Sequence, residues 1–350
     1  MPFYYDLKKE EKDVRIRAAK NLLSLRKELK LTMPSRKVND SIIIGTWNIR
    51  DFGRNRFGFG ERMSESYYYI AEIISKFDII AIQEVDKDLS AIENLTEILG
   101  PSWNFFASTN TLSIASNNTR LVYLFDERKV IFQNIAGQVI LDQKNLIQEK
   151  YQFARAPYIA TFRSGSFKFS ICSVHIYFGI SQPGHIKYQR RLSEIDTIAR
   201  LMAKKMATEN ENIILLGDFN IISPEHETMD MLLRHGFTVP KNLLIPSNVH
   251  GTKHYDQIAF LVRENELQIA DSKKSSGVFN YFNTVFKIND IDHYSKTESW
   301  KNAVKKGKND NKDRIFFYKM WRTFQMSDHF PKWIELKTDF SVRKLKLLKS

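Results

Sequence analysis

The chain has 350 residues, 43% of them hydrophobic, and its 25 Phe and 14 Tyr indicate a globular fold with a substantial core. No stretch approaches the roughly 20 apolar residues of a membrane-spanning helix, so we expect no membrane span. The formal net charge of +13 favours a polyanionic partner such as nucleic acid, with anionic membrane surfaces as the main competitor.

The N-terminal part of the sequence predicts one charged amphipathic helix. Apolar side chains recur at spacings of three and four in residues 6–31, namely at Val14, Ala18, Leu22, Leu25 and Leu29. A polar connector with a proline, residues 32–40, follows it. We therefore expect residues 1–35 to form a helical segment whose apolar stripe docks on the main domain. Docking on a partner protein is the alternative.

From residue 41 onward, runs typical of strands alternate with runs typical of helices. Strands are predicted at SIIIGTWNI, DIIAIQEV, RLVYLF, YIATFR, FKFSICSVHIYF, NIILLGDFN, YDQIAFLV and KWIEL, and helices at SESYYYIAEIISKF and IKYQRRLSEIDTIARLMAKKM. The hairpin signal at residues 164–166 favours mixed or antiparallel sheets with helices packed outside. Residues 264–325 form a long polar and aromatic stretch that resembles an insertion.

The expected location is cytoplasmic. The first 20 residues alternate charges and lack the apolar stretch of a secretory signal. Because Cys172 is the single cysteine, no intrachain disulfide is possible, which is typical of a reducing compartment.

Polar side chains able to bind a metal, a phosphate or a proton stand at the ends of several predicted strands. They are Asn48, Glu84, His175, Asp218, Asn220, Asp256, Asp328 and His329. Any one of them has an ordinary explanation as a turn, a cap or a satisfied core residue. Their number indicates strand ends that converge on one site.

The chemistry that suits this set is the hydrolysis of a phosphate ester. Oxygen ligands from Glu84, Asn48 and Asp328 suit Mg²⁺ or Mn²⁺. A carboxylate such as Asp218 can orient or deprotonate a water, and an imidazole held by a carboxylate, His329 with Asp256, stays cationic more readily.

Seven motifs in register resemble the endonuclease/exonuclease/phosphatase superfamily, in its deoxyribonuclease I-like branch. They are TWNIRDFG, AIQEVD, FARAPYIATF, SVHIYFG, LLGDFNI, YDQIAF and MSDHFPKWIEL, and the resemblance covers about residues 41–340. It implies an α/β fold, a four-layer sandwich of two mixed, mainly antiparallel β-sheets flanked by helices. We expect this catalytic domain to span residues 36–345.

The resemblance also implies roles for single residues. Glu84 resembles the main metal ligand, Asn48 supports the metal or phosphate, and Asp328 is a second metal-side carboxylate. Asp218 resembles the residue that orients the attacking water, and Asn220 the transition-state hydrogen-bond donor. The phosphate-facing residues are His175, His329 with its partner Asp256, and Arg155.

Two features depart from the family pattern or lie outside it. Thr119 stands where these enzymes often carry a Glu that steadies the first histidine, so another group holds His175 or its role is reduced. The basic and aromatic loop of residues 52–63 offers candidate nucleic-acid contacts, namely Arg54, Arg56, Phe57 and Arg62. A surface loop without a ligand is the alternative for this segment.

The leading hypothesis is a metal-dependent nuclease, most consistent with an endonuclease, that acts on DNA or RNA. A second hypothesis keeps the site and changes the substrate to a phospholipid, an inositol phosphate or a small nucleotide. The sequences GDFNII and YDQIAF differ from the GDLNYR-like and WCDR-like motifs of inositol phosphatases, and this difference argues against an inositol phosphate substrate. A non-catalytic binding module is the third reading.

Overall fold

Two mixed β-sheets form the centre of the protein. The computed structural model describes residues 1–37, 40–109, 119–180, 182–263, 266, 268–270, 272–307, 313–340 and 345. Its strands are β1 (Ser41–Phe52), β2 (Ile79–Asp86), β3 (Trp103–Ala107), β4 (Thr119–Asp126), β5 (Ile131–Gln138), β6 (Tyr158–Ser164), β7 (Phe167–His175), β8 (Ile213–Asp218), β9 (Asp256–Leu261), β10 (Ser276–Val278) and β11 (Lys332–Lys337). The first sheet has the order β10-β11-β1-β2-β4-β3, and the second has the order β5-β6-β7-β8-β9.

Each sheet combines one parallel pair with antiparallel neighbours. The strand β1 is parallel to β2, and β7 is parallel to β8. The remaining neighbours in the described part of the chain are antiparallel. The prediction of two mixed, mainly antiparallel sheets is therefore confirmed.

Helices cover the outer faces of both sheets. They are α1 (Lys12–Thr32), α2 (Ser64–Ile74), α3 (Ser90–Leu99), α4 (Ile186–Glu209), α5 (Glu227–Leu233), α6 (Ile291–Tyr294), α7 (Glu298–Lys305) and α8 (Arg314–Gln325). Apolar residues of α1, α2, α3, α7 and α8 share one core with the first sheet, and those of α4 and α5 share another with the second. A third core lies between the sheets, where Ile44 of β1 and Leu216 of β8 are both fully buried. This is the predicted four-layer sandwich.

The N-terminal helix packs on this body with the stripe that its sequence predicted. Ala18, Leu22, Leu25 and Leu29 are buried in the same core as α2. Nε of Arg17 lies 2.8 Å from Oε2 of Glu65 on α2 and joins the two helices through an ion pair. The helix begins at Lys12, six residues after the predicted start, and residues Asp6–Lys9 form a separate 3₁₀ turn. A contact of this helix with a partner protein stays a prediction.

The segment of residues 264–325 is largely built into the first helical layer. Its described part contains β10 and the helices α6, α7 and α8, and the side chains of Tyr294, Trp300 and Trp321 are buried. The aromatic content of the stretch thus serves a core. Within the described residues, no helix is long and apolar enough to cross a membrane, and the cytoplasmic location stays a prediction.

Candidate active site

Strand ends from both sheets meet at one edge of the sandwich. Asn48 lies near the end of β1, Glu84 near the end of β2, and His175 and Asp218 close β7 and β8. The antiparallel strands β9 and β11 start at this edge, with Asp256 opposite Asp218 and with His329 three residues before β11. The topology therefore brings six of the predicted side chains together.

Asn48 connects the two carboxylates of the site. Its Nδ2 donates to Oε1 of Glu84 at 3.1 Å and to Oδ2 of Asp218 at 3.0 Å. Its Oδ1 is buried and has no hydrogen-bond partner in the part of the chain that the structure describes. An unpartnered amide oxygen beside a carboxylate is the donor set that a hard divalent cation prefers. Glu84 and Asn48 thus fit Mg²⁺ or Mn²⁺.

A second group of side chains also meets the geometry of a metal site. Asp218, Asp256 and His329 have candidate ligating atoms within 4.8 Å of one another. However, Nδ1 of His329 already lies 2.8 Å from Oδ2 of Asp256. Because a hydrogen bond occupies these two atoms, this group is better suited to proton chemistry.

The backbone is strained at two residues of the site. Glu84 has φ +63° and Asn220 has φ +55°, in the left-handed region that non-glycine residues rarely adopt. Glu84 lies between Ile82 and Val85, where the register of β2 against β4 shifts. Such a bulge changes the direction in which a side chain points. Strained residues of this kind concentrate at functional sites.

His329 and Asp256 form a buried dyad. Ser247 supports it, since its Oγ donates to Oδ2 of Asp256 at 2.6 Å. Burial alone would lower the pKa of His329, but the carboxylates of Asp256 and Asp218 outweigh it and raise the pKa well above its usual value. His329 is therefore cationic at neutral pH, and its Nε2 lies 3.9 Å from Oδ2 of Asp218.

His175 has the opposite electrostatic environment. Burial lowers its pKa well below the usual value, and the positive charges of Arg155 and His329 add to that effect. Its Nε2 faces Oδ2 of Asp218 at 3.6 Å, while its Nδ1 has no hydrogen-bond partner among the described residues. Thr119 pairs with Asp86 in the ladder of β4 and β2. No acidic group among the described residues therefore replaces the missing partner of His175 at Nδ1.

Asp218 is held by its neighbours in one orientation. The backbone N–H of Asn220 donates to its Oδ1 at 2.9 Å, and Asn48 donates to its Oδ2. Burial raises the pKa of Asp218, against the lowering influence of His329. The side chain of Asn220 donates to the carbonyl of Ile176 at 2.9 Å, so its amide lies beside the end of β7.

Arg155 and Asp328 line the same cleft as His175, Asp218 and His329. The guanidinium of Arg155 is partly buried, and its Nη1 donates to the carbonyl of His175 at 3.4 Å. Its Nε has no hydrogen-bond partner among the described residues. Asp328 forms an ion pair with Arg50, whose Nη1 is 3.3 Å from its Oδ2. The position of Arg155 suits an anion, whereas Asp328 has a cationic partner in this structure.

The site opens into a cleft of about 1420 Å³. Arg56 and Phe57 of the basic loop line it. Arg62 is instead bound to backbone carbonyls, and Nη2 donates to that of Arg50 at 2.9 Å. Arg54 is paired with Asp86. Neither Arg54 nor Arg62 is among the described residues that line the cleft, and contact of these two residues with nucleic acid stays a prediction.

Several cleft residues were absent from the sequence prediction. They are Arg50, Lys150, Tyr151, Tyr177, Phe178, Arg190, Phe316, Lys319 and Met320. Arg50 could have been predicted from the sequence, since it directly follows the TWNI motif. The residues of α8 show helical spacing in the sequence RIFFYKMWRTFQ, although the spacing does not tell which face meets the cleft.

Comparison with known proteins agrees with this geometry. The model of the Endonuclease/Exonuclease/phosphatase family matches residues 45–329, which is most of the chain. The chain belongs to this family. The match contains the candidate site residues of the endonuclease/exonuclease/phosphatase domain from Asn48 to His329.

Two curated relatives of this family member carry deoxyribonuclease names. A deoxyribonuclease of Thioalkalivibrio sp. (strain K90mix) is 29% identical over 204 residues, which are 56% of this chain and 50% of the relative. Deoxyribonuclease-1 of Bos taurus is 27% identical over 188 residues, or 51% of this chain and 61% of the relative. The chain thus spans about half to three fifths of the length of these relatives.

Solved structures support the same family fold. An endonuclease/exonuclease/phosphatase family protein from Bacteroides thetaiotaomicron has a TM-score of 0.52 and 15% identity, with 86% of this chain and 99% of that chain covered. At this level of identity the likeness concerns the fold alone.

Proposed function

We propose that this protein is a divalent-metal-dependent nuclease, most consistent with an endonuclease, that hydrolyses phosphodiester bonds of DNA, with RNA as the alternative polymer. The observation that carries the proposal is the hydrogen-bonded link from Glu84 through Asn48 to Asp218, with His175 and His329 beside it. The charge of +13 and the names of the curated relatives support a nucleic-acid substrate.

Glu84 and Asn48 would hold a Mg²⁺ or Mn²⁺ ion, with Asp328 as a further metal-side carboxylate. When bound, such an ion acts as a Lewis acid on a phosphate oxygen. Asn48 has a second task, because its Nδ2 fixes the orientation of Asp218.

Asp218 acts on the attacking water in this mechanism. Its carboxylate accepts a hydrogen bond from the water and draws a proton from it as the oxygen attacks phosphorus. Since burial raises its pKa, Asp218 is a stronger base than an exposed carboxylate. The backbone N–H of Asn220 keeps Oδ1 in place. Asn220 also lines the cleft, and its side-chain amide has a second N–H, beside the one given to Ile176, that would donate to a phosphate oxygen.

The two histidines have different tasks because their charges differ. His329, cationic through Asp256, donates from Nε2 to a phosphate oxygen and stabilises the charge that develops there. Neutral His175 orients the phosphate by a hydrogen bond without added charge. Arg155 presents its guanidinium to phosphate oxygens, which it can bind with two parallel hydrogen bonds.

The alternative function is that of a phosphatase or phosphodiesterase for a phospholipid, an inositol phosphate or a small nucleotide. The cleft volume of about 1420 Å³ exceeds the range of roughly 300–1,000 Å³ that is usual for small-molecule pockets. The size of the cleft therefore favours a polymer.

A substrate panel tests the proposal. We expect the purified chain with Mg²⁺ or Mn²⁺ to cleave plasmid DNA, single-stranded DNA or RNA, and expect chelation to stop it. The variants Glu84→Gln and Asp218→Asn should remove cleavage while circular dichroism stays that of the wild type. If all three polymers remain intact and a small phosphodiester is hydrolysed, the alternative function replaces the proposed one. A protein that binds without any hydrolysis would be a binding module.

A further inference from the structure

We propose that one wall of the cleft binds the unpaired bases of single-stranded nucleic acid; this rests on the proposed function and names the form of its substrate. The wall consists of the α8 face (Phe316, Lys319, Met320 and Thr323) together with Phe57, and Phe178, three residues after β7, lies on the side of the cleft that belongs to the second sheet. All six residues line the cleft that contains Asp218 and His329.

The sequence of α8 places an aromatic ring and a cation side by side on the cleft. Residues at spacings of three, four and seven share one helix face, as Phe316, Lys319, Met320 and Thr323 do. The opposite face is anchored, since Phe317, Tyr318 and Trp321 are buried in the outer core. The Phe316 side chain is 61% exposed on this fixed helix. Phe316 and Phe57 are both exposed on the cleft that contains Asp218 and His329, and contiguous exposed apolar surface marks an interaction site.

The basic loop extends this wall toward the catalytic residues. The ring of Phe57 lies 5.5 Å from that of Phe324 on α8 and is 39% exposed. The guanidinium of Arg56 lies 4.4 Å from the Phe57 ring centroid. Arg50 connects α8 to the site, because its Nη1 donates to Oγ1 of Thr323 at 2.7 Å and pairs with Asp328. The wall is therefore fixed relative to the bond that would be cleaved.

The side of the cleft that belongs to the second sheet also combines aromatic rings with positive charges. The ring of Phe178 is 63% exposed and follows His175 by three residues. The guanidinium of Arg190 lies 4.7 Å from the ring centroid of Tyr151 and 4.6 Å from that of Tyr177. Exposed Lys150 adds another positive charge.

The aromatic rings of the cleft, more than its positive charges, distinguish single-stranded from double-stranded nucleic acid. Cations such as Lys319 and Arg56 attract the phosphates of either form. A duplex keeps its bases stacked on one another, whereas an unpaired base offers a free face to an aromatic side chain. Exposed Phe side chains on the walls of a cationic cleft therefore favour a single strand.

The test measures binding and cleavage separately, with a fluorescein-labelled oligodeoxynucleotide of mixed sequence of about 20 nucleotides, alone and annealed to its complement. Binding is measured by fluorescence anisotropy in EDTA, and cleavage is measured with Mn²⁺. The variants are Phe316→Ala, Phe316→Tyr, which keeps a ring, and Ile315→Ala. Ile315 is 49% exposed on the same helix and outside the cleft lining, so it is the matched control.

We expect the wild type to bind the single strand on the order of tenfold more tightly than the duplex, and Phe316→Ala to lose on the order of tenfold in single-strand affinity. Phe316→Tyr and Ile315→Ala should bind as the wild type does. The loss should disappear on an oligonucleotide whose bases are replaced by abasic spacers, because the phosphates remain.

Equal or tighter binding of the duplex, or a single-strand affinity that Phe316→Ala leaves unchanged, overturns this inference. Cleavage of the duplex in that case retains the proposed nuclease function. The opposite combination, single-strand binding that depends on Phe316 with no cleavage in Mg²⁺ or Mn²⁺, retains the binding surface and overturns the nuclease function.

Discussion

Asp256 holds Nδ1 of His329 at 2.8 Å, and both side chains are buried. The bond fixes the imidazole so that its Nε2 faces Asp218. It also keeps the ring charged, because the pKa of His329 is raised well above its usual value despite burial.

The first prediction concerns this dyad. Asp256→Asn removes the negative charge and should lower kcat/KM for an oligonucleotide on the order of a hundredfold, since general acid–base groups contribute about that much or more. Initial rates with Mn²⁺ measure it. Ser247→Ala is the matched control, because it removes a hydrogen bond to Asp256 and leaves the charge, so we expect a much smaller effect. An Asp256→Asn rate within twofold of the wild type would falsify the assigned role of the dyad.

The second prediction concerns the cation. Glu84→Gln should weaken Mn²⁺ binding by at least about tenfold, since even indirect partners of metal ligands are worth that much. Asp328→Asn should weaken it less, because Arg50 already neutralises Asp328. Isothermal titration of the two variants with Mn²⁺ measures both effects. The reverse order of effects would show that Asp328 is the main ligand.

The sequence pattern predicted most of the strands of the two central sheets. The runs SIIIGTWNI and NIILLGDFN became β1 and β8 because their apolar residues are buried between layers. The strand β5 was missed, since it is an edge strand whose mostly exposed or half-buried residues carry no apolar pattern. The helix α3 was not predicted, although Ile92, Leu95 and Leu99 recur at helical spacing in its sequence.

The sequence motifs named side chains that the structure brings together, but they did not predict the electrostatics of the candidate site. The motifs gave both His175 and His329, yet only the fold decides that one is neutral and the other charged. Spacing likewise could not tell that Arg62 binds backbone carbonyls while Arg56 faces the cleft. Such differences depend on contacts between residues far apart in the chain.

The third prediction concerns an ion-pair network between the connector that follows α1 and the first sheet. Arg36 donates at 2.6 Å to Asp78 and at 2.6 Å to Asp126, two fully buried carboxylates. Arg36→Met should lower the free energy of unfolding by about 3 kcal/mol, because removing one partner leaves buried charge less well paired. Guanidinium denaturation measures it.

Arg128→Met is the control for this network. Arg128 also pairs with Asp126, but its side chain is 64% exposed, so we expect a loss of about 1 kcal/mol or less. Equal losses in the two variants would contradict the importance given to burial.

The last prediction concerns Lys332, a lysine that is fully buried at the start of β11. Its Nζ donates to the carbonyls of Leu243 at 3.0 Å and Asp256 at 2.6 Å. Burial lowers the pKa of Lys332 from 10.5 to about 8, although the charge of Asp256 acts in the opposite direction. Between these two pH values the unfolded chain binds the proton and the folded chain releases it. Stability therefore rises with pH in this window.

The lowering of the Lys332 pKa from 10.5 to about 8 corresponds to about 3 kcal/mol in the free energy of unfolding, measured across the whole pH window. Lys332→Met lacks the titrating group, so the free energy of unfolding of the wild type minus that of the variant should increase from pH 8 to pH 10.5. The buried tyrosines titrate in both proteins, so their contribution to the pH dependence cancels in this difference. Urea denaturation at several pH values measures it, and a difference that stays flat or falls across the window would mean that Lys332 keeps its ordinary pKa in the folded state.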